Sequence, residues 1–258
     1  MSFFAVASSS LTDDVLMLFL MLAGTLLAAF LGQSVGYPRG SSGSGPVLAV
    51  IVCLSGLLTG CAFFISVVGF AAREKAQTHE VQAVGRAWQY SGLLSEPDRG
   101  IARQVLRRYL DERIRFYREN TSAGLRTWGR LARDSQSKLW ALAEGNVFNH
   151  GCMNTLALLN VYSDLGDAMT QTRSVWRRQL PDAAWWVLIS SALSLCYLSG
   201  YQLAGNKNAW RTLLFVPVLM ALALFVIAEI DLPGQGIIHV TPDGLESLAE
   251  ELQTYNAA

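Results

Sequence analysis

Apolar positions in this chain gather into four runs that no charged side chain interrupts, at residues 15–38, 40–72, 183–206 and 212–228. A helix rising about 1.5 Å per residue needs about 20 residues to cross the hydrocarbon core of a bilayer. The first three runs, at 24, 33 and 24 residues, meet that length, although 40–46 is a Gly/Ser-rich turn; the fourth is short, at 17. The pattern predicts membrane spans at about 15–35, 47–72, 183–204 and 210–230. The N-terminal stretch before residue 15 has no Lys or Arg, unlike the basic opening of a cleaved signal peptide, so the first span is expected to be retained.

Between the second and third runs the period changes. Apolar residues return at three- to four-residue spacing with polar residues between them, which predicts amphipathic helices and no strands. Span two is expected to continue as one long helix to the Leu93 region. A second helix opens at the acidic start Glu96, Pro97, Asp98, carries Ile101, Val105, Tyr109, Leu110 and Ile114, and ends near Asn120. A third, from about Ala123 to Glu144, buries Leu125, Trp128, Leu131, Leu139 and Leu142. A fourth, from about Asn146 to Leu180, carries Leu156, Leu159, Tyr162, Leu165, Met169 and Val175. After the last run, Gly236 to Val240 is expected to be short and extended. Thr241 as N-cap and Pro242 then open a tail helix with Leu245, Leu248 and Leu252 on one face, suited to docking on the helical segment.

The expected fold class is therefore all-α integral membrane: four transmembrane helices, with a cytoplasmic helical bundle inserted between spans two and three. The expected divisions are an N-terminal membrane hairpin (1–72), the insert (73–182), a C-terminal membrane hairpin (183–230) and a cytoplasmic tail (231–258).

Composition narrows the class further. With 52% apolar and 16% charged residues, and 20 basic against 20 acidic, the chain is neither disordered nor a basic nucleic-acid binder. Of the 20 basic residues, 17 lie in 73–182, against 12 acidic ones there, a net of +5. Arg73 and Lys75 follow span two and Arg173, Arg177 and Arg178 precede span three, so both flanks are basic. Positive flanks predict that segment in the cytoplasm, and four spans then put both termini there too.

Chemistry-bearing motifs are sparse. His79–Glu80 lacks the second histidine of HExxH, since residue 83 is Ala; the glycines at 40–45 lack the Gly-Lys-Ser/Thr ending of a P-loop; and the cysteines at 53, 61, 152 and 196 form no CxxC. No enzyme activity, catalytic residue, cofactor or metal is expected. Small residues Gly24, Ala28 and Gly32 in span one, and Gly56 and Gly60 in span two, suit close helix packing within the subunit or between subunits. Glu229 and Asp231 end span four, where the helix dipole disfavours anions. They can be solvated among headgroups, paired with a membrane-edge cluster of Arg73, Lys75, Arg177 and Arg178, or set on an ion pathway.

The succession of two spans, an insert bearing SGLLSEPDRGIARQVLRRYLDE (91–112), two more spans and a closing DLPGQGIIHVTPDGLESL (231–248) resembles the bacterial bestrophin-like membrane family. The resemblance covers about residues 47–252. One departure is Leu232, where that family often has a basic residue before the proline. The resemblance implies a homo-oligomeric ion channel, pentameric by analogy, that moves inorganic ions through a lipid bilayer, with span two lining the pore. Phe63, Phe64, Val67 and Phe70 are then the candidates for a hydrophobic constriction that gates by dewetting, the alternative being lipid-facing packing. The other functional class is a non-conducting membrane anchor whose basic insert binds a cytoplasmic partner or anionic lipid. Selectivity is left open.

Overall fold

A computed structural model describes residues 11–36, 44–119, 122–150, 152–176, 180–204, 210–231 and 240–254. These residues form eight helices and no strand: α1 Leu11–Val35, α2 Ser44–Ser91, α3 Asp98–Arg118, α4 Ser122–His150, α5 Cys152–Trp176, α6 Asp182–Gln202, α7 Trp210–Asp231 and α8 Asp243–Thr254. Four of them, α1, α2, α6 and α7, are long and apolar enough to cross a membrane. Span two and the helix after it are one continuous element, because residues 44–91 contain proline only at Pro46, in the first turn, where a missing N–H costs nothing.

Two boundaries differ from the sequence reading. α4 runs on to His150, beyond the Gly145–Asn146 pair expected to end it; a single glycine inside a helix costs only about 1 kcal/mol, too little to stop one held by packing. At the start of α8 the Pro242 carbonyl accepts from both Leu245 and Glu246, while the Thr241 hydroxyl donates to Asp243 at 2.7 Å. Pro242, one residue on, thus takes the capping position expected for Thr241. The expected extended segment, apart from Val240, lies outside the described residues.

The chain divides into two compact units. The first contains α1, the part of α2 up to Val68, α6 and α7. Its core is Trp185, Leu188, Ala192, Leu224, Ile227 and Ala228, with Ala62 of α2 packed among them. Helices in lipid associate by close packing, and α1 and α6 come together at glycines. A Cβ at Gly32 would strike the Tyr197 carbonyl, and one at Gly200 would strike the Ala29 carbonyl. Of the small-residue ladder read from the sequence, Gly32 makes this approach, whereas Gly24 meets nothing within 4 Å. Buried hydroxyls tie the remaining helices to each other: Thr25 of α1 donates to the Pro217 carbonyl of α7 at 3.2 Å, and Ser55 of α2 to the Ser191 carbonyl of α6 at 3.3 Å.

The second unit contains α2 from Gly69 onward, α3, α4, α5 and α8. Ala83, Val84, Ala87 and Trp88 of α2 enter one core with Leu106, Tyr109 and Leu110 of α3, Leu139 of α4, and Leu158, Tyr162 and Leu165 of α5. Leu245 and Leu252 of α8 are buried in the same core, and the Gln77 side-chain amide donates to the Thr241 carbonyl at 2.6 Å, fixing the start of that helix.

Candidate functional site

The face of α2 in the first unit follows from which residues pack. Between Val47 and Val68 the buried positions are Ser55, Ala62 and Ser66. At about 100° per residue these fall on one line along the helix. The opposite line carries Leu57, Phe64 and Val68, exposed by 65%, 68% and 50%. Gly60 lies between them, and neither it nor Gly56 has any atom within 4 Å of where a Cβ would stand, so the GxxxG of this helix is open.

The four constriction candidates therefore do not share one line. Phe64 sits opposite the packed side, Val67 about 60° round from it and Phe63 about 100° round, with exposures of 40% for Val67 and 45% for Phe63. Phe70 belongs to the second unit, where it is half-buried against the core.

The six edge-charge candidates divide between the units. In the first, Glu229 and Asp231 are both buried, which excludes simple solvation among headgroups for either carboxylate. Asp231 accepts the Leu180 backbone N–H on both oxygens, at 3.0 and 3.1 Å. Leu180 stands just ahead of α6, so this carboxylate, on the last residue of α7, satisfies a buried donor at the approach to the next span. In the second unit Arg73 is buried and Lys75 exposed. Arg177 and Arg178 lie outside the described residues.

A densely connected polar site among the described residues is centred on Glu80, which the sequence pattern does not single out. Glu80, fully buried on α2, receives both Nε and Nη2 of Arg113 from α3 in a bidentate pair, with Nη2 to Oε2 at 2.7 Å. The Tyr109 hydroxyl donates to Oε1 at 2.7 Å, the Tyr117 hydroxyl to Oε2 at 3.3 Å and the Thr172 hydroxyl of α5 to Oε2 at 3.2 Å. Tyr109, Arg113 and Tyr117 repeat every four residues and so share one face of α3. The Arg113 guanidinium also lies over the Phe116 ring at 4.4 Å. Burial opposes the charged guanidinium, but Glu80 and the two phenols outweigh it and hold Arg113 protonated. Burial, and then the Glu80 charge, push both phenols above the usual tyrosine range. A parallel smaller link joins α3 to α4: Glu112, also buried, accepts from Arg108 at 3.0 Å and from the Ser135 hydroxyl at 2.7 Å.

The partners of Glu80 stand 29 to 92 residues from it in sequence, which is why spacing does not reveal them. The signal available was charge on an apolar face: Glu80 occupies the helix line of Ala83, Ala76 and Ala87, where a solvated carboxylate has no place. Among the described residues no group of three His, Cys, Asp or Glu side chains is arranged to hold a metal ion.

No family model matches the sequence, and no curated protein does either. Solved structures do. Three crystal structures of a bacterial bestrophin homologue from Klebsiella pneumoniae align over nearly the whole chain. A tryptophan-to-alanine variant is 13% identical, covering 98% of this chain and 100% of that one with a TM-score of 0.63. An isoleucine-to-threonine variant is 12% identical over 95% and 99%, TM-score 0.65. A third, phased on zinc, is 14% identical over 94% and 98%, TM-score 0.62. At such identities the likeness speaks for the fold and not for individual residues. The chain is thus an integral membrane protein with the fold of the bacterial bestrophin homologues.

Proposed function

We propose that this chain assembles as a homo-oligomeric ion channel whose pore is lined by α2. The observation that carries the reading is the open line of α2, where Leu57, Phe64 and Val68 point away from the subunit's own packing. In a ring of copies such a line faces the axis. A collar of phenylalanines there forms a hydrophobic constriction that conducts when wetted and closes when it dewets. Gly56 and Gly60 lie beside this line with open space in front of them, which suits the close approach of a neighbouring helix. Similarity to bestrophin homologues supports the same reading, with five subunits by analogy.

In this reading residues 73–182 form a cytoplasmic helical insert, both termini are cytoplasmic and the protein resides in the bacterial inner membrane. The basic flanks Arg73, Lys75 and Arg173 support that orientation. The experiment is the mass of the detergent- or nanodisc-solubilised particle together with ion flux from proteoliposomes made from it. A ring of copies with flux altered by Phe64→Ala supports the channel. A monomer or dimer without flux sinks it and leaves the membrane-anchor reading, which the exposed row Arg126, Arg130 and Arg133 on α4 favours.

A further inference from the structure

A groove of about 320 Å³ runs between α4 and α5, in the second unit and separate from the α2 face. That volume is at the lower end of the roughly 300–1,000 Å³ usual for small-molecule sites. Its two walls are adjacent in the chain, with only residue 151 between the helices, so they pack antiparallel. Register is set at mid-groove. A Cβ on Gly166 would lie 2.8 Å from the Gln136 amide nitrogen, so the missing side chain is what lets that amide lie against α5.

From this point the two ends differ in chemistry. Toward the start of α4 lie Arg133 and, across from it on α5, Thr170 and Arg173. No ion pair among the described residues engages either guanidinium. Toward the other end lie Trp140 and, across from it, Ser163. Trp140 is 39% exposed, a large indole left partly open beside hydrogen-bonding groups. Arg133 and Trp140 are seven residues apart, about 10 Å along the helix axis. The groove thus offers two cations for an anion at one end, an aromatic surface for a flat ring at the other, and the Gln136 amide between them. Asp167 also lines it, which leaves a net charge of +1 and selects against a second free anion.

We infer that this groove is a binding site for a small aromatic phosphate of the nucleoside monophosphate class, its phosphate held by Arg133 and Arg173 and its base stacked on Trp140. Arginine suits the phosphate end because its planar fork donates two hydrogen bonds to one phosphate. An indole face suits the base because stacking accepts any flat ring. The site stands independently of whether the protein conducts.

The test is calorimetric titration of the full-length detergent-solubilised protein with adenosine monophosphate, with adenosine and inorganic phosphate as separate titrants. Saturable binding of the nucleotide is expected, weakened about tenfold or more by Arg133→Ala and by Arg173→Ala, since each removes a charge-assisted contact. Trp140→Ala is expected to weaken the nucleotide to the level of inorganic phosphate. All three positions are at the surface, so elution and helical content should match the parent and leave binding as the readout. No saturable heat up to millimolar nucleotide overturns the inference, as does an affinity unchanged in the three variants. Inorganic phosphate binding as tightly as the nucleotide overturns the aromatic half of it.

Discussion

Replacing Glu80 by glutamine keeps the shape of the side chain and deletes its charge, in a position with no solvent to compensate. Arg113 then remains protonated with its side chain 3% exposed and no anion against it. Stranding one member of a buried ion pair costs about 3–5 kcal/mol. For a chain of this size each kcal/mol moves the melting temperature by about 2–4 °C, so the expected drop is roughly 6–20 °C. The tyrosines moderate this only slightly, because the glutamine carbonyl still accepts from Tyr109.

The assay is thermal unfolding of the solubilised protein followed by tryptophan fluorescence. A companion variant, Glu80→Gln with Arg113→Met, strands no charge and fills the guanidinium's space with an apolar chain. It is expected to melt above Glu80→Gln alone, because replacing a whole buried pair is often close to neutral. A melting temperature for Glu80→Gln within about 2 °C of the parent, against the scale just given, refutes the reasoning. So does a double variant that loses as much as the two single variants added together.

Alkaline pH probes the same region. Tyr109 and Tyr117 titrate above the usual range because burial, and then Glu80, oppose the phenolate, and burial pushes Tyr162 up to about 12. Unfolded tyrosines lose their proton near pH 10, so this stability is complete below about pH 10 and is lost as pH rises toward the folded values; tyrosinate absorbance from these residues is expected only as the fold opens. Gly32→Leu and Gly200→Leu are each expected to abolish recovery of folded protein, because the new Cβ meets backbone, whereas Gly24→Ala is expected to behave as the parent in size-exclusion yield. Asp231→Ala leaves the Leu180 N–H without its carboxylate and is expected to cost about 1–3 kcal/mol in thermal unfolding, with Asp231→Asn losing less because its carbonyl still accepts.

Helix content was legible in the sequence because two periods carry it: unbroken apolar runs for α1, α2, α6 and α7, and three- to four-residue recurrence for α3, α4, α5 and α8. Even the continuity of α2 followed from the lack of an interior proline. What the pattern does not contain is partnership. It marks Gly24, Ala28 and Gly32 alike as able to pack closely, but only the approach of α6 decides that Gly32 is used. It identifies Glu229 and Asp231 as anions at an unfavourable helix end, whereas burial of Asp231 against Leu180 depends on how the chain returns at α6. It offers Phe63, Phe64, Val67 and Phe70 as one bulky run, and the positions of Ser55, Ala62 and Ser66 then turn Phe64 outward and leave Phe70 in the other unit. Glu80 escaped for the same reason: its five donors come from two other helices, and a charged residue inside an amphipathic helix is assigned to water until its neighbours are known.

The central claim, a pore lined by α2, is tested most directly by thiol block of flux. In a background with Cys53 and Cys61 replaced by serine, Phe64→Cys should give proteoliposome flux that a membrane-impermeant, water-soluble thiol reagent blocks, because position 64 faces the water path. Trp186→Cys, on an exposed position of α6, should conduct and resist the reagent. Block at 64 but not at 186 is the result the account predicts; flux through Phe64→Cys that the reagent leaves untouched contradicts it.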